Sequence, residues 1–438
     1  MPRRKKTEEP AVKIKSIKTP QLVRGMKDII PGDQKYWNYL RDRIRKIAED
    51  YSFKRIDTPI LESVNLFTHA IGKQTDIVEK EMFSFTDKGG DKLVLRPEGT
   101  ASVARAYIEH GMLNQPQPVK LYYIGPMFRH ERPQSGRQRQ FHQTGFEIIG
   151  DAESSIDAEM ISMSYYLLKE LGLEVTIQIN SIGDMACREN YKKALLNYYK
   201  NKKANLCPDC KKRITRNPLR LLDCKNSKCE KLKENAPQTV DYLSEESRDH
   251  FFRVLEYLDE IEVPYNLNPF LVRGLDYYNR TVFEIWEKDD TEGKSAIGGG
   301  GRYDYLMEML GGRPAPACGL ALGLERIISL LRDKKIEIPK SAAPDVFLAQ
   351  IGEQARRRAM KFFEELRHSG LKVMANFSKA GLKAQLDIAN KLGVKIVLIL
   401  GQREIVDETI LMRDMESGIQ EVINFKKVIN ELKKKMGK

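Results

Sequence analysis

The sequence has no apolar run of the roughly 18–20 residues that a membrane-spanning helix needs. Residues 2–6 are mostly basic and are not followed by an apolar signal core. Cysteine is scarce too. Six cysteines in 438 residues do not suggest a disulfide scaffold. From these absences we expect a cytoplasmic protein with no membrane partner.

The chain instead carries an excess of positive charge, with a formal net charge of +13. This charge favours a polyanionic partner such as nucleic acid, although charge alone identifies none. A length of 438 residues is enough for about two to four domains with their own cores.

The most informative segment is 122–150, where two apolar runs flank a turn that contains proline and glycine. The runs 121–128 and 141–149 predict a β-hairpin. A guanidinium group matches two phosphate oxygens at once, and a neighbouring aromatic ring such as Phe141 can stack on a base. A solvated, charged hairpin is the alternative explanation. The arginines around the turn are Arg129, Arg132, Arg137 and Arg139, with Arg105 upstream.

Composition and periodicity divide the chain into five segments. Its start is basic and unpatterned, which indicates a flexible arm. A central stretch rich in lysine, asparagine and glutamate contains a cysteine cluster and indicates an insertion. In the last hundred residues strands alternate with helices, which predicts a compact α/β domain with a largely parallel sheet. The predicted segments are 1–20, 21–183, 184–265, 266–333 and 344–438.

Local patterns predict several elements around the candidate motifs. Apolar residues from Trp37 to Ala48 recur at the spacing of a helix. Residues 270–286 are typical of a strand, and residues 298–301 of a glycine-rich turn. Small residues open a helix that we predict over 320–331. Pro59 interrupts a strand-like run and removes a ladder donor, so we expect a sheet edge or an interface there.

Further motifs contain candidate binding residues. Glu98 and Thr100 flank Gly99 at a predicted helix start, where a carboxylate and a hydroxyl can hold an ammonium group. A simple helix cap is the alternative. An arginine in a helix, as at 326, is ordinarily a surface residue, but it can also clamp a phosphate. The remaining candidates in these motifs are Arg273, Tyr277, Tyr278 and Arg326.

Four cysteines form two closely spaced pairs: Cys207 with Cys210, and Cys224 with Cys229. Four thiolates in this arrangement suit a tetrahedral zinc site that stabilises a small insertion. Four ordinary thiols in a flexible insertion are the alternative explanation.

Taken together, the motifs resemble those of the histidyl-tRNA synthetase family, a class II aminoacyl-tRNA synthetase family, from about Leu22 to the C-terminus. FRHERPQSGRQRQFHQTGFE is similar to motif 2 in its histidine form, and RGLDYYNRTVFE to a signature of this family. GLALGLERI resembles motif 3, and Pro59 matches the motif 1 proline of a dimer interface. The resemblance implies an α+β fold: an antiparallel sheet flanked by helices, an inserted helical domain, and a C-terminal α/β anticodon-binding domain.

The resemblance also implies an enzyme, a histidine–tRNA ligase. The enzyme would activate L-histidine with ATP and Mg²⁺ to histidyl-adenylate, and then transfer the histidyl group to the 3′ end of tRNA(His). It would act as a homodimer. No general base is required, because the histidine carboxylate is already ionised at neutral pH.

By the same resemblance, the catalytic residues are Arg129 and Arg273 at the α-phosphate and Arg326 at the γ-phosphate. Glu147 and Tyr278 would bracket the imidazole ring. The implied histidine-binding residues are Glu98, Gly99, Thr100, Arg129, Gln143, Glu147, Arg273, Tyr277 and Tyr278, where Glu98 and Thr100 take the ammonium group. The implied ATP-binding residues are Arg129, Arg137, Phe141 and Arg326, where Phe141 stacks on adenine and Arg137 assists at the pyrophosphate.

Two other functions stay open. One is a synthetase-like regulatory subunit of ATP phosphoribosyltransferase, which typically lacks the anticodon-binding domain and parts of the charged site. The other is a nucleic-acid-binding module without catalysis, which would not explain Glu98, Glu147 and Tyr278. The charged residues and the final α/β domain are all present, which favours the enzyme.

Overall fold

The computed structural model describes residues 19–73, 75–131, 138–290, 296–339, 343–378 and 381–437. These residues form two compact units, divided between Ile338 and Pro339. Residues 1–18 of the predicted arm lie outside the described residues. Among the described residues, no helix is both long and apolar enough to cross a lipid bilayer.

The first unit contains ten α-helices and eleven strands within its described residues. Its helices are α1 (Gln34–Asp50), α2 (Val64–Ile71), α3 (Thr100–Glu109), α4 (Ser154–Glu170), α5 (Met185–Lys200), α6 (Pro208–Arg216), α7 (Ser227–Lys233), α8 (Glu245–Glu260), α9 (Leu306–Met309) and α10 (Leu324–Asp333). Its strands are β1 (Lys54–Arg55), β2 (Leu61–Ser63), β3 (Phe83–Thr86), β4 (Lys92–Leu95), β5 (Val119–Phe128), β6 (Gln140–Ile149), β7 (Val175–Ser181), β8 (Tyr265–Leu267), β9 (Asn279–Glu287), β10 (Gly298–Arg302) and β11 (Ala317–Gly323).

An eight-stranded sheet organises this unit, in the order β1-β5-β6-β11-β10-β9-β7-β8. The strands pair antiparallel except at the two edges, where β1 with β5 and β8 with β7 pair parallel. The predicted hairpin is confirmed, because β5 and β6 pair from Val119 opposite Ile149 to Phe128 opposite Gln140. The tip of the hairpin, residues 132–137, lies outside the described residues.

One face of the large sheet is buried by helices. Side chains alternate along a strand, so Phe146, Leu320 and Phe283 project from neighbouring strands into one apolar cluster with α1, α4, α8 and α10. The predicted first helix is confirmed as α1, and Trp37, Leu40, Ile44, Ile47 and Ala48 are its buried residues. The opposite face is left for the site described below.

Helix α8 lies within the predicted insertion but packs in the cluster beneath the sheet, through residues such as Phe251 and Leu258. Strand β8, at the end of the same segment, pairs with β7 of the large sheet. The cysteine-rich part from α5 to α7 instead joins a second apolar cluster with α2 and α3. The domain boundaries at 184 and 265 therefore remain a proposal.

The prediction of a turn at residues 298–301 is wrong, because Gly298–Arg302 forms β10 in the middle of the large sheet. A glycine run is typical of turns, but here it lets two neighbouring strands approach closely. A Cβ at Gly300 would lie 2.0 Å from the Gly319 carbonyl oxygen, and one at Gly299 would lie 2.5 Å from that of Phe283. Pairing with β9 and β11 overrides the local preference.

Two other predicted elements begin too early. The predicted helix 320–331 starts as strand β11 and becomes helix α10 only at Leu324. The predicted strand 270–286 is a loop up to Tyr278, and β9 begins at Asn279. In both cases the element and the segment that precedes it share one apolar pattern, so periodicity does not show where the element begins.

The second unit is an α/β domain with a five-stranded sheet in the order β13-β12-β14-β15-β16. The sheet is mixed rather than largely parallel, because β15 and β16, which were not predicted, pair antiparallel. Its strands are β12 (Val346–Gln350), β13 (Val373–Ala375), β14 (Ile396–Leu400), β15 (Thr409–Asp414) and β16 (Gln420–Asn424), and its helices are α11 (Glu353–His368), α12 (Leu382–Lys391), α13 (Gln402–Val406) and α14 (Val428–Met436).

Candidate active site

A cavity of about 670 Å³ lies on the open face of the large sheet. It brings together three arginines that are far apart in the chain, Arg129, Arg273 and Arg326. Arg105 is not among them, because its guanidinium pairs with Glu62 and Glu109. Arg137 lies outside the described residues. The other predicted residues that line the cavity are Glu98, Thr100, Phe141, Gln143, Tyr277 and Tyr278.

Small residues on the central strands leave room for this cavity. Alternation along β6 gives Phe141, Gln143 and Glu147 the same face, with Gly145 between them. On the other side of β6, strands β11 and β10 offer only glycine or alanine on this face. A Cβ at Gly319 would lie 1.7 Å from Glu147 Oε2, and one at Gly299 would lie 2.8 Å from Arg273 Nη1. Larger side chains on these strands would therefore displace the charged residues of the site.

Glu98 holds the start of α3 and also lines the cavity. Its carboxylate accepts hydrogen bonds from the backbone N–H groups of Thr100 at 2.6 Å and Ala101 at 2.9 Å. The helix-cap explanation of this motif is therefore correct, and the same carboxylate is available to a ligand. Burial raises the pKa of Glu98, against the lowering effect of these hydrogen bonds and of Arg129. Gly99 lies behind the wall, where a Cβ would collide with the Tyr123 ring.

Glu147 is fully buried behind the cavity wall. Thr100 Oγ1 donates a hydrogen bond to Glu147 Oε1 at 2.8 Å, and the Tyr303 hydroxyl donates to Oε2. Burial, with a smaller contribution from the neighbouring Glu98, raises the pKa of Glu147 to about 8, against the lowering effect of the two hydrogen bonds. Two carboxyl groups buried close together favour a positively charged or hydrogen-bond-donating ligand.

Tyr303 was not identified from the sequence. It is 1% exposed, and its only polar atom is directed at Glu147. The signal that could have identified it is the alternation along β10, continued by one residue: Tyr303 directly follows the strand, and its backbone N–H still donates to the Ala317 carbonyl oxygen of β11, so residues 299, 301 and 303 share a face. This alternation becomes visible only when the glycine run is recognised as a strand.

Arg273 lies on the loop before β9, where several groups hold its guanidinium. Glu284 Oε1 pairs with Nη1 at 2.5 Å, and the Tyr278 ring centroid lies 5.7 Å from the guanidinium carbon. Trp286 Nε1 donates to the other oxygen of Glu284 at 3.0 Å. Burial disfavours the charged form, but Glu284 and the tyrosines nevertheless raise the pKa of Arg273. Glu284, which the sequence did not single out, also lines the cavity.

Arg129 directly follows β5 of the hairpin, and Phe141 lies on β6. Arg129 Nε donates to the Pro97 carbonyl oxygen at 2.9 Å, and the Arg129 guanidinium carbon lies 5.4 Å from the centroid of the Phe141 ring. The paired hairpin strands therefore place a flat aromatic surface next to a guanidinium.

Arg326 lies in the first turn of α10, where its guanidinium donates to the Ala296 carbonyl oxygen. The preceding residue, Glu325, accepts from the backbone N–H of His142 at 2.9 Å and contacts His142 Nδ1 at 2.8 Å. This contact fixes the start of α10 against β6. The three arginines thus enter the cavity from three separate structural elements.

The cysteine-rich insertion supplies another part of the cavity wall, through Arg213, Arg220, Asp223 and Lys225. The sequence did not predict this contact. Asp76, at the start of the π-helix Ile77–Glu81, pairs with Arg213 at 3.1 Å and with Arg220 at 3.0 Å. These ion pairs therefore join the insertion to the rest of the first unit directly at the cavity.

The four predicted metal ligands converge. The sulfur atoms of Cys207, Cys210, Cys224 and Cys229 all lie within 4.8 Å of one another. The Sγ atoms of Cys207 and Cys224 are 3.8 Å apart. Two sulfurs at the usual ~2.3 Å from a tetrahedral zinc ion would be about 3.8 Å apart. Backbone N–H groups of Cys207 and Cys210 are directed at cluster sulfurs, an arrangement that favours thiolates.

Comparison with known proteins agrees with this geometry. Residues 25–327 match the family model of histidyl-tRNA synthetase, and residues 345–435 match that of an anticodon-binding domain. The histidine–tRNA ligase of Dehalococcoides mccartyi is 46% identical over 95% of this chain and its own full length. The ligase of Halothermothrix orenii is 45% identical, over 95% of this chain and 99% of its own length.

A solved structure is similar as well. The apo histidyl-tRNA synthetase of S. aureus superimposes with a TM-score of 0.79 at 36% identity, over 95% of this chain and 100% of that one. The resemblance inferred from the motifs and the predicted α+β fold with its terminal domain are thus confirmed. The chain belongs to the histidyl-tRNA synthetase family of class II aminoacyl-tRNA synthetases.

Proposed function

We infer that this chain is a histidine–tRNA ligase that activates L-histidine with ATP and then charges the 3′ end of tRNA(His). The observation that carries this inference is one cavity lined by Arg129, Arg273, Arg326 and the buried Glu98. A second buried carboxyl group, Glu147, lies directly behind its wall, hydrogen-bonded to the lining residue Thr100. Guanidiniums suit a polyphosphate, and buried carboxyl groups suit the ammonium and imidazole groups of histidine.

In the first step a histidine carboxylate oxygen attacks the α-phosphorus of ATP, and the bond to the pyrophosphate oxygen breaks. Charge then increases on the α-phosphate oxygens, where we place Arg129 and Arg273. Guanidiniums that are already held in position stabilise this charge without reorganising during the reaction. We place Arg326 at the γ-phosphate and Phe141 against the adenine ring. Mg²⁺ enters with ATP and neutralises part of the phosphate charge.

The histidine side chain is recognised at the back of the cavity. We place the ammonium group on Glu98 and Thr100, and the imidazole ring between Glu147 and Tyr278. Thr100 and Tyr303 already orient the Glu147 carboxyl group through its two oxygens. An amino acid with a different side chain would leave buried polar groups unpaired, which provides strong discrimination.

Unpaired buried polar atoms support a ligand at this position. Arg273 Nε and Gln143 Oε1 are both buried and have no hydrogen-bond partner in the described part of the chain. A buried polar group without a partner costs about 1–3 kcal/mol. A phosphate oxygen next to Arg273 Nε and an ammonium group next to Gln143 Oε1 would remove this cost.

We propose tRNA as the nucleic-acid partner, because the second unit matches an anticodon-binding domain. A regulatory subunit without such a domain is the less favoured alternative. In this unit Arg356 and Arg357 both pair with Glu353, and the Arg358 guanidinium carbon lies 4.6 Å from the centroid of the Phe425 ring. The first turns of α11 are therefore basic, but Glu353 already compensates part of this charge.

We also propose a homodimer that forms through the three-stranded sheet β2-β4-β3. This small sheet carries exposed apolar side chains: Ile60 is 42% exposed, Leu61 44% and Phe85 47%. Pro59, which precedes them, is also exposed. A surface patch of this kind is typical of a protein–protein interface.

The cysteine cluster would hold a structural zinc ion, with Cys207, Cys210, Cys224 and Cys229 as ligands. Four sulfur donors that enclose one point suit zinc and leave no open coordination position for catalysis. Metal analysis of the purified protein tests this proposal directly. About one zinc per chain is expected, and a protein without metal would contradict it.

The function is tested by ATP–pyrophosphate exchange with each of the twenty amino acids. Exchange is expected with histidine alone. A regulatory subunit or a nucleic-acid-binding module would give no exchange with any amino acid. The Arg273→Ala variant is expected to lose exchange while its circular dichroism spectrum and melting temperature remain close to wild type. Near-normal exchange in this variant would contradict the role assigned to Arg273.

A further inference from the structure

The turn between α6 and α7 connects the cysteine cluster to the cavity. Cys224 lies in this turn, and the residues on either side of it, Asp223 and Lys225, line the cavity. Its sulfur is 3.8 Å from that of Cys207. One short turn therefore carries a cysteine of the cluster and two charged residues that line the cavity.

The same turn contacts the loop that carries Arg273. The Arg220 guanidinium packs against Gly274, where an added Cβ would lie only 2.8 Å from Arg220 Nη1. Asn217 Nδ2 donates to Asp276 Oδ1 at 3.2 Å. The insertion thus contacts the catalytic loop immediately beyond Arg273 and again three residues after it.

The turn has little regular structure to hold it in place. Its only helical part within the described residues is the 3₁₀ turn Pro218–Leu221, and α7 begins at Ser227. Leu219, Leu221 and Leu222 are buried and anchor the turn to the apolar core. On the cavity side, the first half of the turn is held by Arg220, which pairs with Asp76 at 3.0 Å, and by Asn217. A bond from Cys224 to a metal ion would hold the second half, where Asp223 and Lys225 line the cavity.

Resting on the proposed function, we propose that metal bound at the four cysteines positions the 217–225 turn against the Arg273 loop. The metal is therefore a positioning element of the histidine-activating site, although it touches no substrate. A misplacement of about 1 Å at a reacting group can lower a rate about 100-fold. We therefore expect metal-free enzyme to activate histidine at least about ten-fold more slowly.

The first test compares Cys224→Ser with Cys187→Ser. Cys187 is a buried cysteine on α5 that lies outside the cluster, and its sulfur accepts from the Ser244 backbone N–H. Zinc content and histidine-dependent pyrophosphate exchange are measured on both variants. Cys224→Ser is expected to lose zinc and at least about ten-fold in exchange rate, whereas Cys187→Ser is expected to keep both. A folded, zinc-free Cys224→Ser protein with wild-type exchange would overturn the proposal.

Hydrogen–deuterium exchange gives a readout that does not depend on catalysis. Wild-type protein is treated with a zinc chelator and then reloaded with Zn²⁺. Metal removal is expected to increase amide exchange in residues 207–229 and also in residues 271–278, and Zn²⁺ is expected to reverse both changes. If metal removal increases amide exchange only in residues 207–229, the proposed link between the cysteine cluster and the Arg273 loop is wrong. That conclusion holds even when the wild-type enzyme activates histidine normally.

A third variant keeps the metal and breaks the contact. Asn217→Ala removes the hydrogen bond to Asp276 on the Arg273 loop, changes no residue that lines the cavity, and leaves all four cysteines in place. It is expected to retain zinc and to lose exchange activity. Wild-type activity in this variant would show that the insertion does not position the catalytic loop.

Discussion

Glu284 offers a sharp test of how Arg273, the proposed catalytic arginine, is held. Its carboxylate pairs with Arg273 Nη1 at 2.5 Å and accepts from Trp286 Nε1 at 3.0 Å. Glu284→Gln keeps the shape of the side chain but removes its charge. A glutamine has one acceptor oxygen, so its NH₂ group must face one of the two donors.

The expected size of the effect follows from these two contacts. A hydrogen bond to a charged group contributes about 1.5–3 kcal/mol and a neutral one about 0.5–1.5 kcal/mol. The substitution therefore costs about 1–2 kcal/mol of positioning energy at Arg273. This corresponds to a decrease of about 5- to 30-fold in the exchange rate. Because Arg273 is placed at the developing phosphate charge, kcat should fall while KM for histidine changes little.

The assay is histidine-dependent pyrophosphate exchange at saturating ATP, with Glu287→Gln as the matched control. Glu287 lies on the same strand, but it pairs with Lys334 away from the cavity. Removing this surface ion pair should change the exchange rate by less than about five-fold, because such a pair contributes little free energy. Equal rates in Glu284→Gln and wild type would refute the positioning role of Glu284.

Three further predictions concern stability, the sheet and assembly. The raised pKa of Glu147, about 8, means that the folded protein favours the protonated carboxyl. The free energy of unfolding is measured with urea for wild type and for Glu147→Gln at a series of pH values. As the pH rises from about 4.5 toward 8, wild type should become less stable relative to the variant by on the order of 1.4 kcal/mol per pH unit. A difference in stability that does not change with pH would contradict the raised pKa. Gly299→Ala should cost about 1–3 kcal/mol of unfolding free energy because its Cβ meets backbone atoms, whereas Gly32→Ala, in open space, should not; equal costs would refute the close-approach argument. Leu61→Asp should give monomers in light scattering, whereas Val406→Asp, at a 77% exposed apolar residue of the second unit, should not; a Leu61→Asp dimer would exclude the proposed interface.

The sequence predicted the parts of the fold that follow from local periodicity. Helix α1 and the β5–β6 hairpin have regular apolar spacing over ten or more residues, so one pattern was enough. The glycine strand β10 could not be predicted in this way. Its conformation is set by pairing with β9 and β11, which a local glycine signal does not report.

The same reason separates the predicted site residues from those that were missed. Arg129, Arg273 and Arg326 lie within motifs, so a family resemblance could bring them together across the chain. Glu284 and Tyr303 contact the predicted residues only after the strands have paired. Glu284 ends the RGLDYYNRTVFE motif, but its role, like that of Tyr303, follows from tertiary contacts that the motif does not report.

Distant guanidiniums and buried carboxyl groups should bind one nucleotide beside one imidazole ring. A crystal structure with a non-hydrolysable histidyl-adenylate analogue would show whether they do. We expect the phosphate mimic within about 3 Å of the Arg129 and Arg273 donors, and the imidazole between Glu147 and Tyr278. An analogue bound outside this cavity, or with its imidazole directed into solvent, would rule out this arrangement.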